Sequence, residues 1–119
     1  MTNRVVITGM GGVSSIGMSV PEIYNSLREG RPGIGQLEFP DITRLKVKTG
    51  GQIKNFDPNK HFELKQVGRT DRFSQLALLA AKEAITNAGL ENCKEEWPEN
   101  AGVILGSSIG GIETINYSY

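Results

Sequence analysis

The stretch TDRFSQLALLAAKEAITNAG, residues 70–89, decides how this chain is organised. Phe73, Leu76, Ala77, Ala80, Ala84, Ile85 and Ala88 recur at helical spacing, so the segment predicts an α-helix. Thr70 suits the N-cap, and Asp71 puts a negative charge beside the positive end of the helix dipole. Gly89 closes the last turn if it takes the left-handed conformation. The run Leu76–Ala81 is apolar on nearly every side, so the helix is expected to be covered on more than one face. Its alanines leave room for another backbone to approach closely.

Strand signals flank this helix on both sides. Val5-Val6-Ile7-Thr8 is a β-branched run ending at Gly9, and Ala101–Gly106 (AGVILG) is a second apolar run. Continuous apolar runs of this length predict buried strands. A strand–helix–strand order implies parallel pairing with a right-handed crossover. A second amphipathic helix is expected over Val20–Arg28, with Ser19 as N-cap, Pro21 in the first turn and Gly30 at the end. Gly30–Pro40 is rich in glycine and proline and reads as loop. Lys46–Ile53 offers a short strand interrupted by Gly50-Gly51, and Asn55-Phe56-Asp57-Pro58 is a turn signal. Asn59–Val67 suits a short helix and a connector. Asn92–Asn100 is a charged loop containing Trp97-Pro98, and a further helix is expected to start at Gly111 or Ile112. The fold class is therefore α/β, with an incomplete sheet that is mostly parallel. Two secure strands and one strong crossover helix are little for a covered parallel sheet. The simplest expectation is that residues 1–119 are the front of a longer domain.

Composition narrows the functional classes. Thirteen basic and thirteen acidic residues cancel, so no overall field favours nucleic acid or an anionic membrane. The single cysteine, Cys93, excludes an internal disulfide and fits a reducing compartment. No apolar run approaches the roughly 20 residues of a transmembrane helix. The N-terminal apolar segment is too short for a secretory signal. The expectation is a soluble, cytoplasmic protein.

The candidate sites each have a plain structural alternative. Gly9-Met10-Gly11 follows a strand signal, as a dinucleotide loop requires. The third glycine position, however, is Ser14, and no acidic residue closes a second strand, so a structural turn is the better reading. Gly106-Ser107-Ser108-Ile109-Gly110 has the G-x-S-x-G form of a nucleophile elbow. The lone histidine, His61, precedes Ser108, so a hydrolase triad in that order cannot be completed. Small residues needed where a strand turns sharply into a helix are the better reading of the loop. Cys93 sits among glutamates, which disfavour a thiolate. His61 has no ligand partner at metal spacing, so no metal site is expected. Lys60, Lys65, Arg69 and Arg72 form a basic cluster around the start of the main helix. Such a cluster is either a solvated face or a docking spot for an anionic partner.

Five segments together resemble one family. RVVITGMGGVSSIG at the start, SLREGRPGI at 26–34, GGQIKNFDP, whose last eight residues are 51–58, RTDRFSQLALLAAKEAITNAGL at 69–90 and GVILGSSIGGIET at 102–114 occur in order. The chain is similar throughout to the N-terminal part of the β-ketoacyl-[acyl carrier protein] synthases, most of all the elongating type of fatty acid synthesis. Polyketide ketosynthases share these motifs. The resemblance implies a thiolase-like fold, usually as a homodimer, and a decarboxylating Claisen condensation. In that reaction a cysteine carries the acyl chain and two histidines assist at the malonyl thioester. It implies that those residues lie beyond Tyr119, and neither Cys93 nor His61 matches them. It places Ile109 near the acyl-binding pocket, and Lys65 and Arg69 where the acidic acyl carrier protein docks. It implies no cofactor. Gly68 stands where relatives often have another basic residue, and Gly12 replaces a more usual apolar one.

Overall fold

A computed structural model describes residues 4–39, 41–93, 99, 101–111 and 114–115. The first helix, α1, spans Val20–Arg28. Ser19 adopts extended backbone, and its Oγ accepts from the Glu22 N–H at 3.4 Å, while Pro21 lies in the first turn. Gly30 follows with φ +67°, ending the helix as expected. Buried Ser26 donates from Oγ to the Ile16 carbonyl at 2.7 Å and ties α1 to the preceding loop.

The 30–40 region is more than loop. Gly35–Gln36 forms strand β1, paired antiparallel to β2 at Thr49–Gly50, with Gly35 opposite Gly50. The Leu37 N–H donates to the Lys48 carbonyl at 2.9 Å. The Gln52 side chain then clamps the Glu38 backbone, accepting from its N–H at 2.7 Å and donating to its carbonyl at 3.0 Å. Two short strands tied by a side-chain amide thus replace the single interrupted strand expected at 46–53.

The turn at 55–58 forms, with Asn55 at φ +58°. Asp57 accepts from the Asn59 N–H at 3.1 Å and caps a 3₁₀ turn, Pro58–Lys60. Helix α2, Leu64–Val67, starts with a reciprocal capping box between Glu63 and Gln66. Helix α3 spans Arg72–Asn87, and Gly89 has φ +69°. The N-cap is Asp71 rather than Thr70. Thr70 is drawn back to α2 because its Oγ1 donates to the Gln66 carbonyl at 2.7 Å.

The alanine face of α3 receives a backbone. An added Cβ on Gly11 would lie 1.9 Å from the Ala80 carbonyl oxygen, and one on Gly9 would lie 2.3 Å from that of Ala84. Only glycine permits that approach. Polar side chains of the helix then fix the loop. The Met10 N–H donates to Asn87 Oδ1 at 3.1 Å, and the Gly12 N–H donates to Glu83 Oε2 at 2.9 Å. Glu83 Oε1 also accepts from the Val20 N–H, at 2.8 Å, at the start of α1.

The expected parallel ladder is not present among the described residues, whose one sheet is the antiparallel β1–β2 pair. Residues 5–8 and 101–106 join no strand. Val5, Ile7, Val103 and Ile104 are 91%, 85%, 95% and 101% exposed. A parallel strand needs a partner strand and a layer on each face, and the described residues supply neither here. The charged loop expected at 92–100 lies mostly outside the described residues, as does Ile112. Thr114 and Ile115 are helical, and the Ile115 N–H donates to the Gly111 carbonyl at 3.0 Å, as a helix starting near Gly111 requires.

Candidate functional site

The basic cluster divides in two. Arg72 is half-buried and works inside the fold. Its Nη2 donates to the Ile53 carbonyl at 2.6 Å, and its guanidinium stands 5.2 Å from the centre of the Phe56 ring. His61 stacks on Phe56 with centroids 5.8 Å apart and planes 11° apart. Neither Arg72 nor His61 therefore contributes an unengaged charged tip.

Lys60, Lys65 and Arg69 are exposed and form no ion pair among the described residues. The Pro58–Lys60 turn packs against α2, so Lys60 and Lys65 stand on adjoining turns. The Arg69 N–H donates to the Gln66 carbonyl at 3.1 Å just beyond α2. Buried Gln75 sets the angle between this turn and α3. Its Nε2 donates to the Thr70 carbonyl at 2.8 Å and to that of Val67 at 3.4 Å. Three exposed cations thus stand near Asp57 and Glu63 without an ion pair to either, free to meet an anionic surface.

The second glycine loop lies against the start of α3. A Cβ on Gly110 would lie 2.6 Å from Phe73 Cζ, and one on Gly111 would lie 2.6 Å from Asp71 Oδ2. Thr114 Oγ1 donates to Asp71 Oδ1. Ile109 is 68% exposed at the tip of this loop. Ser108 has no hydrogen bond to a described residue, and His61 is held at Phe56, so no base stands ready for a serine nucleophile. In the first loop, the Met10 and Gly12 amides that a phosphate would need are taken by Asn87 and Glu83. Half-buried Cys93 closes the turn after α3, its N–H donating to the Leu90 carbonyl at 3.2 Å. No group of three or more potential metal ligands occurs among the described residues.

A family model described as the beta-ketoacyl synthase N-terminal domain matches residues 2–119. The chain belongs to that family. It is similar to 3-oxoacyl-[acyl-carrier-protein] synthase 2 of Staphylococcus aureus strain COL, at 39% identity over 98% of this chain and 28% of that protein. It is also similar to nodulation protein E of Rhizobium sp. strain N33, at 41% identity over 100% of this chain and 29% of that protein. The chain thus spans under a third of the length of these curated relatives.

Lys65, on α2, and Arg69, just beyond it, are each exposed, and Ile109 stands on a separate loop. The Ile109 loop meets the first turn of α3 through Gly110 and Gly111. Sequence reading missed Asp71 and Phe73 as the contacts of that loop, and Glu83 as the tie between the first loop and α1. Their partners lie 43, 37 and 71 residues away respectively for Thr114, Gly110 and Gly12, beyond any local periodicity.

Proposed function

We propose that this chain is the N-terminal segment of an acyltransferase, a β-ketoacyl-[acyl carrier protein] synthase of the thiolase-like fold. The reading assigns the full-length protein a decarboxylative Claisen condensation of acyl and malonyl thioesters in chain elongation. It works on thioesters of acyl carrier protein, as a homodimer. The carrying observation is the family match over residues 2–119, joined to an exposed cationic face at the positions where the resemblance implies docking. The name of the staphylococcal relative includes acyl carrier protein, which supports the same partner.

In this reading Lys65 and Arg69 receive the acidic carrier protein, and Lys60 extends the field. Exposed cations of this kind speed encounter and set orientation more than they add tight affinity. Gly68 leaves a gap between them where relatives often place a further cation. Ile109 borders the acyl pocket. No residue of the chain takes a catalytic role, and Cys93 carries no acyl group. The parallel sheet is completed by polypeptide outside these residues, which covers residues 5–8 and 101–106.

Two measurements test the proposal. Lys65→Glu together with Arg69→Glu lowers carrier-protein affinity at least about tenfold, and added salt weakens the wild-type interaction in the same direction. Unchanged binding by the double variant would refute the docking face. Mass spectrometry of the 119-residue chain after incubation with an acyl carrier thioester shows no covalent adduct. A stable adduct on Cys93 would sink the non-catalytic assignment.

A further inference from the structure

We propose that Asp71 is a positioning residue for the loop that carries Ile109. Asp71 stands at the N-cap of α3, yet its carboxylate makes no capping bond to its own helix. An N-cap carboxylate ordinarily accepts from the N–H groups of the first turn. Here Oδ1 accepts from Thr114 Oγ1, 43 residues away, and Oδ2 lies against the backbone of Gly111. Two residues further on, the Phe73 ring lies directly against Gly110. Arg72, between them, is held in another direction by the Ile53 carbonyl and Phe56. The first turn of α3 is thus braced by residues 53–56 while it holds the loop.

No side chain or backbone group at 106–109 bonds to a described residue, and all four are exposed. The loop's contacts are concentrated at Gly110, Gly111 and Thr114, and all three meet Asp71 or Phe73. A side chain at Gly110 would press on the Phe73 ring, and Gly111 has φ +69°, which favours glycine. Asp71 therefore fixes where the backbone leaves Gly110, and so where Ile109 stands. The functional consequence rests on the reading of Ile109 as a border of the acyl pocket. The anchorage stands apart from it.

The test uses the full-length protein and hydrogen–deuterium exchange over the peptide spanning 106–115. Asp71→Ala raises exchange there by roughly tenfold, the scale of losing one charge-assisted hydrogen bond. Asp71→Asn restores protection, because its side-chain oxygen still accepts from Thr114. Carrier-protein affinity stays at the wild-type value in both variants. Unchanged exchange in Asp71→Ala, or no rescue by asparagine, would overturn the proposal. So would faster exchange in Phe73→Leu with none in Asp71→Ala, which would assign the anchorage to the ring alone. Failure of wild-type protein to bind carrier would remove the functional reading and leave the exchange result to decide the anchorage.

Discussion

At the residue scale, two glycines and one glutamate fix how the first loop meets α3. Gly11 has less room for a Cβ than Gly9, and its obstacle is backbone, which cannot rotate away. Gly11→Ala therefore lifts the loop from the helix, and we expect at least tenfold faster amide exchange at Met10 and Gly12 in the full-length protein. Gly35→Ala is the control. Nothing lies within 4 Å of its added Cβ and its φ is not positive, so exchange in the first loop stays unchanged. Glu83 serves two amides from different elements, Gly12 and Val20. Hydrogen bonds to a charged group are worth about 1.5–3 kcal/mol each. Glu83→Ala loses both and costs about 3 kcal/mol, read as a lower denaturation midpoint. Glu83→Gln keeps one acceptor oxygen and costs less than half as much. A loss in Glu83→Ala with none in Glu83→Gln would show that the side chain acts through packing rather than through its two charged acceptors.

At the element scale, the connector from α2 to α3 carries Arg69 and follows Lys65, the two cations proposed to dock a carrier protein. Gln75 is 5% exposed and is the one polar residue inside this helix turn that reaches back across the connector. Gln75→Leu preserves volume but leaves two carbonyls short of a donor, at about 1–3 kcal/mol. We expect faster exchange over residues 67–71 and weaker carrier binding, with Lys65 and Arg69 intact. Carrier affinity equal to wild type despite a loosened connector would show that the angle of α2 is irrelevant to docking. This dependence also marks what was legible beforehand. Helices α1 and α3 were readable because their signals are local: Ser19, Pro21 and Gly30 for one, an apolar period and Gly89 for the other. The close backbone approach was readable from the alanines of α3. The Asp71 cap was missed by one residue because Thr70 had a competing partner, the Gln66 carbonyl. The β1–β2 pair was hidden because Gly35, Gln36, Thr49 and Gly50 carry no alternating apolar pattern, and the Gln52 clamp is a tertiary event. Of the site, the residue types of the cationic face were visible in the sequence. The removal of Arg72 from that face was not, since it depends on Phe56 and Ile53 folding back onto α3.

At the scale of the whole molecule, the apolar segments show how little of the chain's order rests on hydrophobic burial. Among the described residues no hydrophobic side chain is buried. The accessible surface is 10364 Å², against about 6,300 Å² expected for a compact protein of this mass. The radius of gyration is 17.4 Å, against about 13.5 Å expected for this length. The order that exists comes from caps, turns and the glycine loop laid on α3. Each of these is local or rests on a few hydrogen bonds, and hydrophobic burial, the main favourable term in folding, is largely unspent. The most exposed apolar residues, Val5, Ile7, Val103 and Ile104, belong to the two runs that read as strands. In the proposed synthase, a sheet and covering layers from polypeptide outside these residues would bury them. The 119-residue chain alone should therefore melt over a broad range without a sharp cooperative transition, and should bind a hydrophobic dye at room temperature. The full-length protein should melt cooperatively and exclude the dye. A sharp transition from the isolated chain as a monomer, with no dye binding, would mean that these residues bury a core of their own. The proposed dependence on an external sheet would then fall.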